Sequence, residues 1–324
     1  MKVWKLAVLL VFLVGLPLGA EAKAADEQKA VLVTGASSGI GLKITEHLAA
    51  AGHFVYAGAR KEKDLKALNE IPNVQSIRLD VTSQDEIAAA VETITQAGRG
   101  LYAVVNNAGV AIVGPMVEVE EDDFHFQMNV NVYGPYRVTK AFAPLIVESQ
   151  GRFTTIGSIA GTLSPANLGA YSMSKHAMEA FTDALAAEMA PLGVDVNVVE
   201  PGNYKSKISA SAFTRMVSEK EAAGEALTEG QAAMKSRGPD DRSRFKEPDE
   251  VAEAVLHALF SETPKRRYMV VPNEAEATYT INKAVTELVQ LNADQPYTFD
   301  RAKLIEMLDE AMARTAGTSP EDSP

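Results

Sequence analysis

Tyr171 and Lys175 stand four residues apart in Tyr171-Ser-Met-Ser-Lys175. On a helix, positions i and i+4 share a face, so this spacing sets an ammonium beside a phenol. A phenol ordinarily titrates near pH 10, whereas a general acid or base works best near neutrality. Moving it down by about three units takes roughly 4 kcal/mol of preferential phenolate stabilisation. A close lysine can supply that in a low-dielectric cleft. Taken alone, the pair is a weak signal, and a helical tyrosine with a solvated lysine is its plainer reading. Chemistry of another kind is written into Thr34-Gly35-Ala36-Ser37-Ser38-Gly39-Ile40-Gly41. Three glycines between an apolar run and an amphipathic helix let backbone N–H groups approach a pyrophosphate, and the helix N-terminus adds partial positive charge. An ordinary strand-to-helix turn is the plainer reading of the glycines by themselves.

The elements that must position these groups alternate. Ala30–Thr34 is apolar and β-branched, as a strand buried on both faces should be. Further strands are expected at Phe54–Gly58, Val74–Leu79, Leu101–Asn106, Arg152–Ile156, Asp195–Val199 and Tyr268–Val271. Helices are expected after Ile40, at Lys61–Asn69 and Gln84–Gln96, in a long stretch ending near Val147, and at Ala170–Met189 and Glu250–Phe260. This rhythm predicts an α/β fold: a Rossmann-type, doubly wound parallel sheet of about seven strands in a single domain. Ligands of such sheets bind along the carboxyl edge of the strands. Residues 29–271 are read as the dinucleotide-binding domain. Within it, 205–247 is long, polar and irregular, which predicts a substrate lid with helical pieces at Ser209–Val217 and Gly230–Met234. Residues 272–314 form a C-terminal helical extension with amphipathic helices at Ala277–Val289 and Leu304–Met312, and 315–324 reads as a disordered tail.

With its Thr-Gly-x-x-x-Gly-x-Gly spacing, the chain resembles the short-chain dehydrogenase/reductase family from about residue 29 to 271. Asn106-Asn107-Ala108-Gly109 after the fourth strand is similar to that family's Asn-Asn-Ala-Gly motif. Ser158 lies 13 residues before Tyr171, and Asn131 lies 27 before Ser158, as in the family's Asn–Ser–Tyr–Lys set. The resemblance implies that Tyr171 exchanges the proton with the substrate oxygen and Ser158 hydrogen-bonds that oxygen. It implies that Lys175 binds the nicotinamide ribose and lowers the Tyr171 pKa, and that Asn131 holds a water in a proton relay. A cofactor site is implied at Thr34, Gly35, Ser37, Ser38, Gly39, Ile40, Gly41, Asp80, Val81, Asn107, Ala108, Gly109, Tyr171, Lys175, Pro201, Gly202 and Ser206, with Asp80 touching adenine. No metal is needed, because Ser158 and Tyr171 polarise the carbonyl. A homodimer or homotetramer built on the helices near 125–148 and 170–190 is implied as well.

Arg60 follows Ala59 where NAD-preferring relatives carry an acid, and a guanidinium suits a phosphate. NADP(H) is therefore favoured, although an Arg60 stacked on adenine would serve NAD(H) as well. Gly100–Gly109, Glu200–Tyr204 and Arg267-Tyr268 resemble the retinol and hydroxysteroid dehydrogenase branch. Ile208, Phe213 and Met216 in the lid either face a lipophilic alcohol or carbonyl substrate or pack on the sheet. The competing function is a non-catalytic nucleotide-binding sensor or scaffold on the same fold.

Composition narrows the classes further. The 324 residues contain no cysteine, which excludes thiol catalysis and Cys-ligated metals. The five histidines show no ligand spacing. Net charge is −12, which argues against a nucleic-acid partner. Lys2, Lys5, the uncharged run Leu6–Ala20 and the small residues of Ala20-Glu21-Ala22 read as a signal peptide over 1–22. An uncleaved membrane anchor is the alternative. Either places the protein outside the cytoplasm or on a membrane, and it is cytoplasmic if the segment is not used.

Overall fold

Short runs rich in β-branched and other apolar residues supply the strands of a seven-stranded parallel sheet. The computed structural model describes residues 28–222, 224–227, 232, 235–236 and 245–315. The signal-like segment 1–22 and the tail 316–324 lie outside them. So does the lid piece Gly230–Met234, apart from residue 232. The strands are β1 (Ala30–Val33), β2 (Phe54–Ala59), β3 (Val74–Arg78), β4 (Ala103–Asn106), β5 (Arg152–Ile156), β6 (Asp195–Pro201) and β7 (Arg267–Val270). Their order is β3-β2-β1-β4-β5-β6-β7, with all six pairings parallel. The winding reverses between β1 and β4, and a crevice opens at such a switch point.

Helices cover both faces, which is why the central strands β1 and β4 are buried along their whole length rather than on alternate residues. Val31 and Val33 pack with Ile44 and Leu48 of α1 (Gly39–Ala50) and with Val251, Val255 and Leu259 of α8 (Asp249–Phe260). Leu32 faces the other way, towards Ile87 and Ile94 of α3 (Gln84–Gln96) and Val138, Phe142 and Ile146 of α5 (Gly134–Glu148). α2 (Glu62–Asn69) and α6 (Gly169–Met189) complete the two layers. Phe142 is fully buried. Phe142→Ala should cost about 3–5 kcal/mol of unfolding free energy, because the cavity adds to the lost transfer energy. Urea unfolding measures this, and a loss under about 1 kcal/mol would mean the α5 layer is not packed as described.

Several boundaries differ from expectation. The long stretch ending near Val147 is not one helix: α4 (Glu121–Met128) meets α5 through a π-helical segment, Asn129–Tyr133. Apolar spacing survives the extra residue, so the sequence shows no break there. The lid helix α7 spans Ile208–Ala222, longer than the piece expected. Beyond β7, α9 (Glu274–Asn292) and α10 (Arg301–Thr315) are also longer, and Thr315 belongs to α10 rather than to a tail.

Candidate active site

β1 delivers its chain into the crevice through Gly35, Ser37, Ser38 and Gly39, with α1 beginning at once behind them. Gly35 and Gly39 adopt φ of +66° and +56°, which glycine accepts without strain. Ser38 is the N-cap of α1 but makes no capping bond with its side chain, so the first N–H groups of the helix are left for other partners. From the far side of the switch point, Asn107 Nδ2 donates to the carbonyls of Thr34 (2.9 Å) and Gly35 (3.2 Å). A Cβ on Gly41 would stand 2.3 Å from that Nδ2. The turn is thus a cradle of bare backbone, as a diphosphate requires.

The crevice has a volume of about 330 Å³. Its walls include Gly35, Ser37, Ser38, Gly39, Ile40, Gly41, Arg60, Asp80, Val81, Asn107, Ala108 and Gly109. The expected Ser158, Tyr171, Lys175, Pro201, Gly202 and Ser206 line it too. Two expected site residues do not. Thr34 is buried behind the glycine turn, where its hydroxyl accepts the N–H groups of Asn107 and Ala108, each at 3.0 Å. It supports the loop and does not face the crevice, because those two N–H groups already occupy its hydroxyl. Asn131 is buried in the π-helical segment. Its Oδ1 accepts Val110 N–H at 2.9 Å, while its Nδ2 donates to Val110 O and Ser174 Oγ. Both amide hydrogens are committed, so the side chain braces the loop after β4.

Lys175 and Tyr171 leave α6 on the same face. Lys175 is buried, and its Nζ donates to Ile156 O at the end of β5 (2.8 Å). Nζ is 5.7 Å from the centre of the Tyr171 ring. Ser158, two residues beyond β5, accepts the Ala160 N–H at 3.1 Å, lies 3.4 Å from Pro201 O and turns its hydroxyl towards the Tyr171 phenol. The electrostatics of the pair are set first by burial. Burial pushes the Tyr171 pKa up, and the hydrogen bond with Ser158 only partly offsets this. Burial also pulls Lys175 down to about 8, against the opposing charge of Glu179 one turn along. A lysine that is only fractionally charged above pH 8 is a weak counter-charge there, while one of its N–H donors is held by Ile156 O and the others remain to be used. Lys175 also carries a stability consequence. Its folded pKa lies below the unfolded one, so the cost of burying the ammonium is present below pH 8 and fades as pH rises to 10.5. Lys175→Met should therefore gain stability relative to the parent at pH 7 and lose that advantage by pH 10.5. Thermal unfolding across this range checks it, and a pH-independent difference would contradict it.

Sequence reasoning missed several participants. Gln127, one turn before Asn131, donates to Val110 O and accepts Ile112 N–H. Ser174, between the tyrosine and the lysine, donates to Tyr171 O at 2.6 Å and accepts from both Asn131 and Gln127. The i, i+4 spacing of Gln127 and Asn131 was the available signal. Tyr204 is buried and donates to Glu250 at 2.5 Å, which fixes the chain just beyond Pro201-Gly202 against α8. Behind Lys175, Glu179 and Glu200 share a hydrogen bond beside Arg267. Burial and then Glu179 push the Glu200 carboxyl well above the ordinary range.

Comparison with known proteins fits this geometry. A family model described as short chain dehydrogenase matches residues 29–216. The chain belongs to the short-chain dehydrogenase family. The chain is 33% identical over 245 residues to an uncharacterized oxidoreductase, YbbO, of Escherichia coli (strain K12), covering 75% of this chain and 86% of that protein. It is 36% identical over 184 residues to retinol dehydrogenase 5 of Mus musculus, covering 55% of this chain and 61% of that protein. Among solved structures, an actinorhodin polyketide ketoreductase with NADPH aligns at 30% identity and a TM-score of 0.63, covering 75% of this chain and 96% of that one. The chain is an oxidoreductase of the short-chain dehydrogenase type.

Proposed function

We propose that the protein transfers a hydride between NADP(H) and a lipophilic alcohol or carbonyl compound, with Tyr171 as the proton donor and acceptor. The observation that carries this reading is the meeting of the Ser158 and Tyr171 hydroxyls on the wall of a glycine-lined crevice, with Lys175 behind them. The crevice fits a dinucleotide, because Gly35, Ser37, Ser38, Gly39 and Gly41 line it at the start of a helix, with glycines where a Cβ would collide with Asn107 or Ala108. When bound, the nicotinamide supplies or takes up the hydride.

The chain's own groups do the rest. Gly35, Ser37, Ser38, Gly39, Ile40 and Gly41 would hold the diphosphate, and Asp80, Val81, Asn107, Ala108 and Gly109 would border the adenosine and ribose. Pro201, Gly202 and Ser206 would border the nicotinamide. Burial keeps Tyr171 protonated over a wide pH range, the form needed to donate to a carbonyl oxygen during reduction. Ser158 donates to the same oxygen and stabilises the charge that develops there. Oxidation requires the phenolate, so its rate should climb with pH while reduction stays flat near neutrality. Lys175 can donate to ribose hydroxyls while it keeps its bond to Ile156 O, since the ammonium carries three N–H donors. Asn131 contributes by bracing Val110, and any water of a proton relay is held by groups other than its amide hydrogens.

Preference for the 2′-phosphate is assigned to Arg60. It lines the crevice, is largely exposed, and lies 3.5 Å from Asp80. Two hydrogen bonds from Thr82, with help from Arg60, outweigh burial and hold the Asp80 carboxyl below its ordinary range. Arg78 donates to the Arg60 carbonyl at 2.6 Å, so a second guanidinium stands nearby. The NADPH held by the ketoreductase neighbour agrees with this preference. Arg60→Ala should raise KM for NADP(H) by about 10- to 100-fold, the loss of a charged hydrogen bond worth about 1.5–3 kcal/mol. KM for NAD(H) should move little. Equal losses with both nucleotides would assign Arg60 to adenine stacking instead.

The lid supplies the substrate side. Ile208 lines the crevice, while Phe213 and Met216 lie further along α7. Their apolar character, with the likeness to retinol dehydrogenase 5, supports a lipophilic substrate. Initial rates over a panel of ketones and aldehydes of increasing chain length test this reading. A preference for short, charged carbonyls would overturn the lipophilic assignment.

A further inference from the structure

Helix α9, beyond the part of the chain matched by the family model, begins with a capping arrangement whose acidic member is used elsewhere. Asn273 is the N-cap, and its Oδ1 accepts the Glu276 N–H at 3.0 Å. In a capping box the glutamate at this third position turns back to the N–H of the capping residue. Here Glu276 Oε2 instead accepts the backbone N–H of Asn203 at 2.9 Å. Its Oε1 takes a hydrogen from Asn273 Nδ2 at 3.3 Å, which fixes the carboxylate plane. Asn203 directly follows Pro201-Gly202 on the crevice wall.

The fit around this contact is close. A Cβ on Gly202 would stand 2.3 Å from Glu276 Oε2, 3.0 Å from Val271 and 3.1 Å from Pro272. Gly202 N–H is already bonded to Val270 O at 2.8 Å. Tyr204 is fixed on α8 through Glu250. The Pro201-Gly202 turn is therefore gripped from β7, α8 and α9 together, and Glu276 is the grip that α9 provides. A charged acceptor on a backbone N–H is stronger than a neutral one, and at a helix N-terminus its charge is further favoured.

We propose that Glu276 is a positioning residue: by holding the Asn203 N–H it sets the Pro201-Gly202 turn against the nicotinamide half of the dinucleotide. This makes the C-terminal helical extension part of the cofactor site rather than an appendage. The proposal rests on the nucleotide reading above.

The test uses the full chain with Glu276→Ala and Glu276→Gln. Three quantities are compared with the parent: amide hydrogen exchange at Asn203, the dissociation constant of NADPH, and that of adenosine 2′,5′-bisphosphate, which contains only the adenosine half. Glu276→Ala should expose the Asn203 amide to faster exchange and weaken NADPH about tenfold, the loss expected for a hydrogen bond to a charged group. Affinity for the adenosine fragment should stay within about twofold of the parent, since that half does not meet the turn. Glu276→Gln keeps an acceptor oxygen and should restore most of the NADPH affinity and the exchange protection. Unchanged exchange at Asn203 in Glu276→Ala, or equal weakening of NADPH and the fragment, would overturn the proposal. A parent chain that binds neither ligand would sink the nucleotide reading itself, while the exchange measurement would still report on the grip.

Discussion

Tyr171→Phe is expected to lower turnover by about 10²- to 10⁴-fold while leaving nucleotide affinity within a factor of about two, because it removes a proton donor and no nucleotide contact of comparable strength. The phenol is the group on the crevice wall placed to meet a substrate oxygen together with Ser158. Burial holds it protonated, so at neutral pH the lost function is chiefly that of an acid. The substitution leaves the ring, and the fold should tolerate it, since the hydroxyl's contact is with Ser158, which also accepts the Ala160 N–H. Steady-state rates and nucleotide titration on the same preparation check both halves. A sensor or scaffold on this fold would keep its output in Tyr171→Phe, and an enzyme would not. Ser158→Ala should follow with a smaller loss, about 10- to 100-fold, because one of two donors to the oxygen survives.

Gly41→Ala should have the next largest effect, and on binding rather than chemistry. The added Cβ would stand 2.3 Å from Asn107 Nδ2 and 2.4 Å from Gly35 O. Neither neighbour can give way cheaply. Asn107 Nδ2 is bonded to Thr34 O and Gly35 O, and Gly35 is itself hemmed in by Ala108, whose Cα would lie 2.9 Å from a Cβ there. Overpacking of this kind costs about 1–3 kcal/mol. Spread over the turn, it should weaken dinucleotide binding by about 10- to 100-fold. Gly114→Ala is a fitting control, since its Cβ would meet only Val119 at an ordinary 3.5 Å. Unchanged NADPH affinity in Gly41→Ala would mean that the glycine turn does not hold the diphosphate.

Much of this architecture is legible in the residues themselves. Continuous apolar strands such as Ala30–Val33 imply cover on both faces, and the packing of Val31 and Leu32 to opposite layers bears that out. The glycine turn, the Asn107 motif and the Tyr171–Lys175 pair are local patterns, and local patterns survive in sequence. What was hidden depends on three-dimensional surroundings. A threonine at the end of a strand reads alike whether it faces a ligand or a loop, so Thr34 was placed with the cofactor although it supports Asn107 and Ala108. The π-helical segment at Asn131 leaves no mark, because Val130, Val138 and Phe142 stay buried on the same side as in a regular helix. The proton affinities of Tyr171 and Lys175 follow from burial, which no spacing reports. Glu276 and Asn203 are 73 residues apart, and nothing in either local sequence points to the other.

The most direct check of the whole account is spectrophotometric: reduced nicotinamide is followed while the purified chain is offered a series of lipophilic ketones and aldehydes. The account predicts that NADPH disappears in a one-to-one ratio with the alcohol formed, that NADH serves less well, and that Tyr171→Phe abolishes the signal. Carbonyl-dependent consumption at the parent rate by Tyr171→Phe, or alcohol formation without loss of reduced nucleotide, would contradict it.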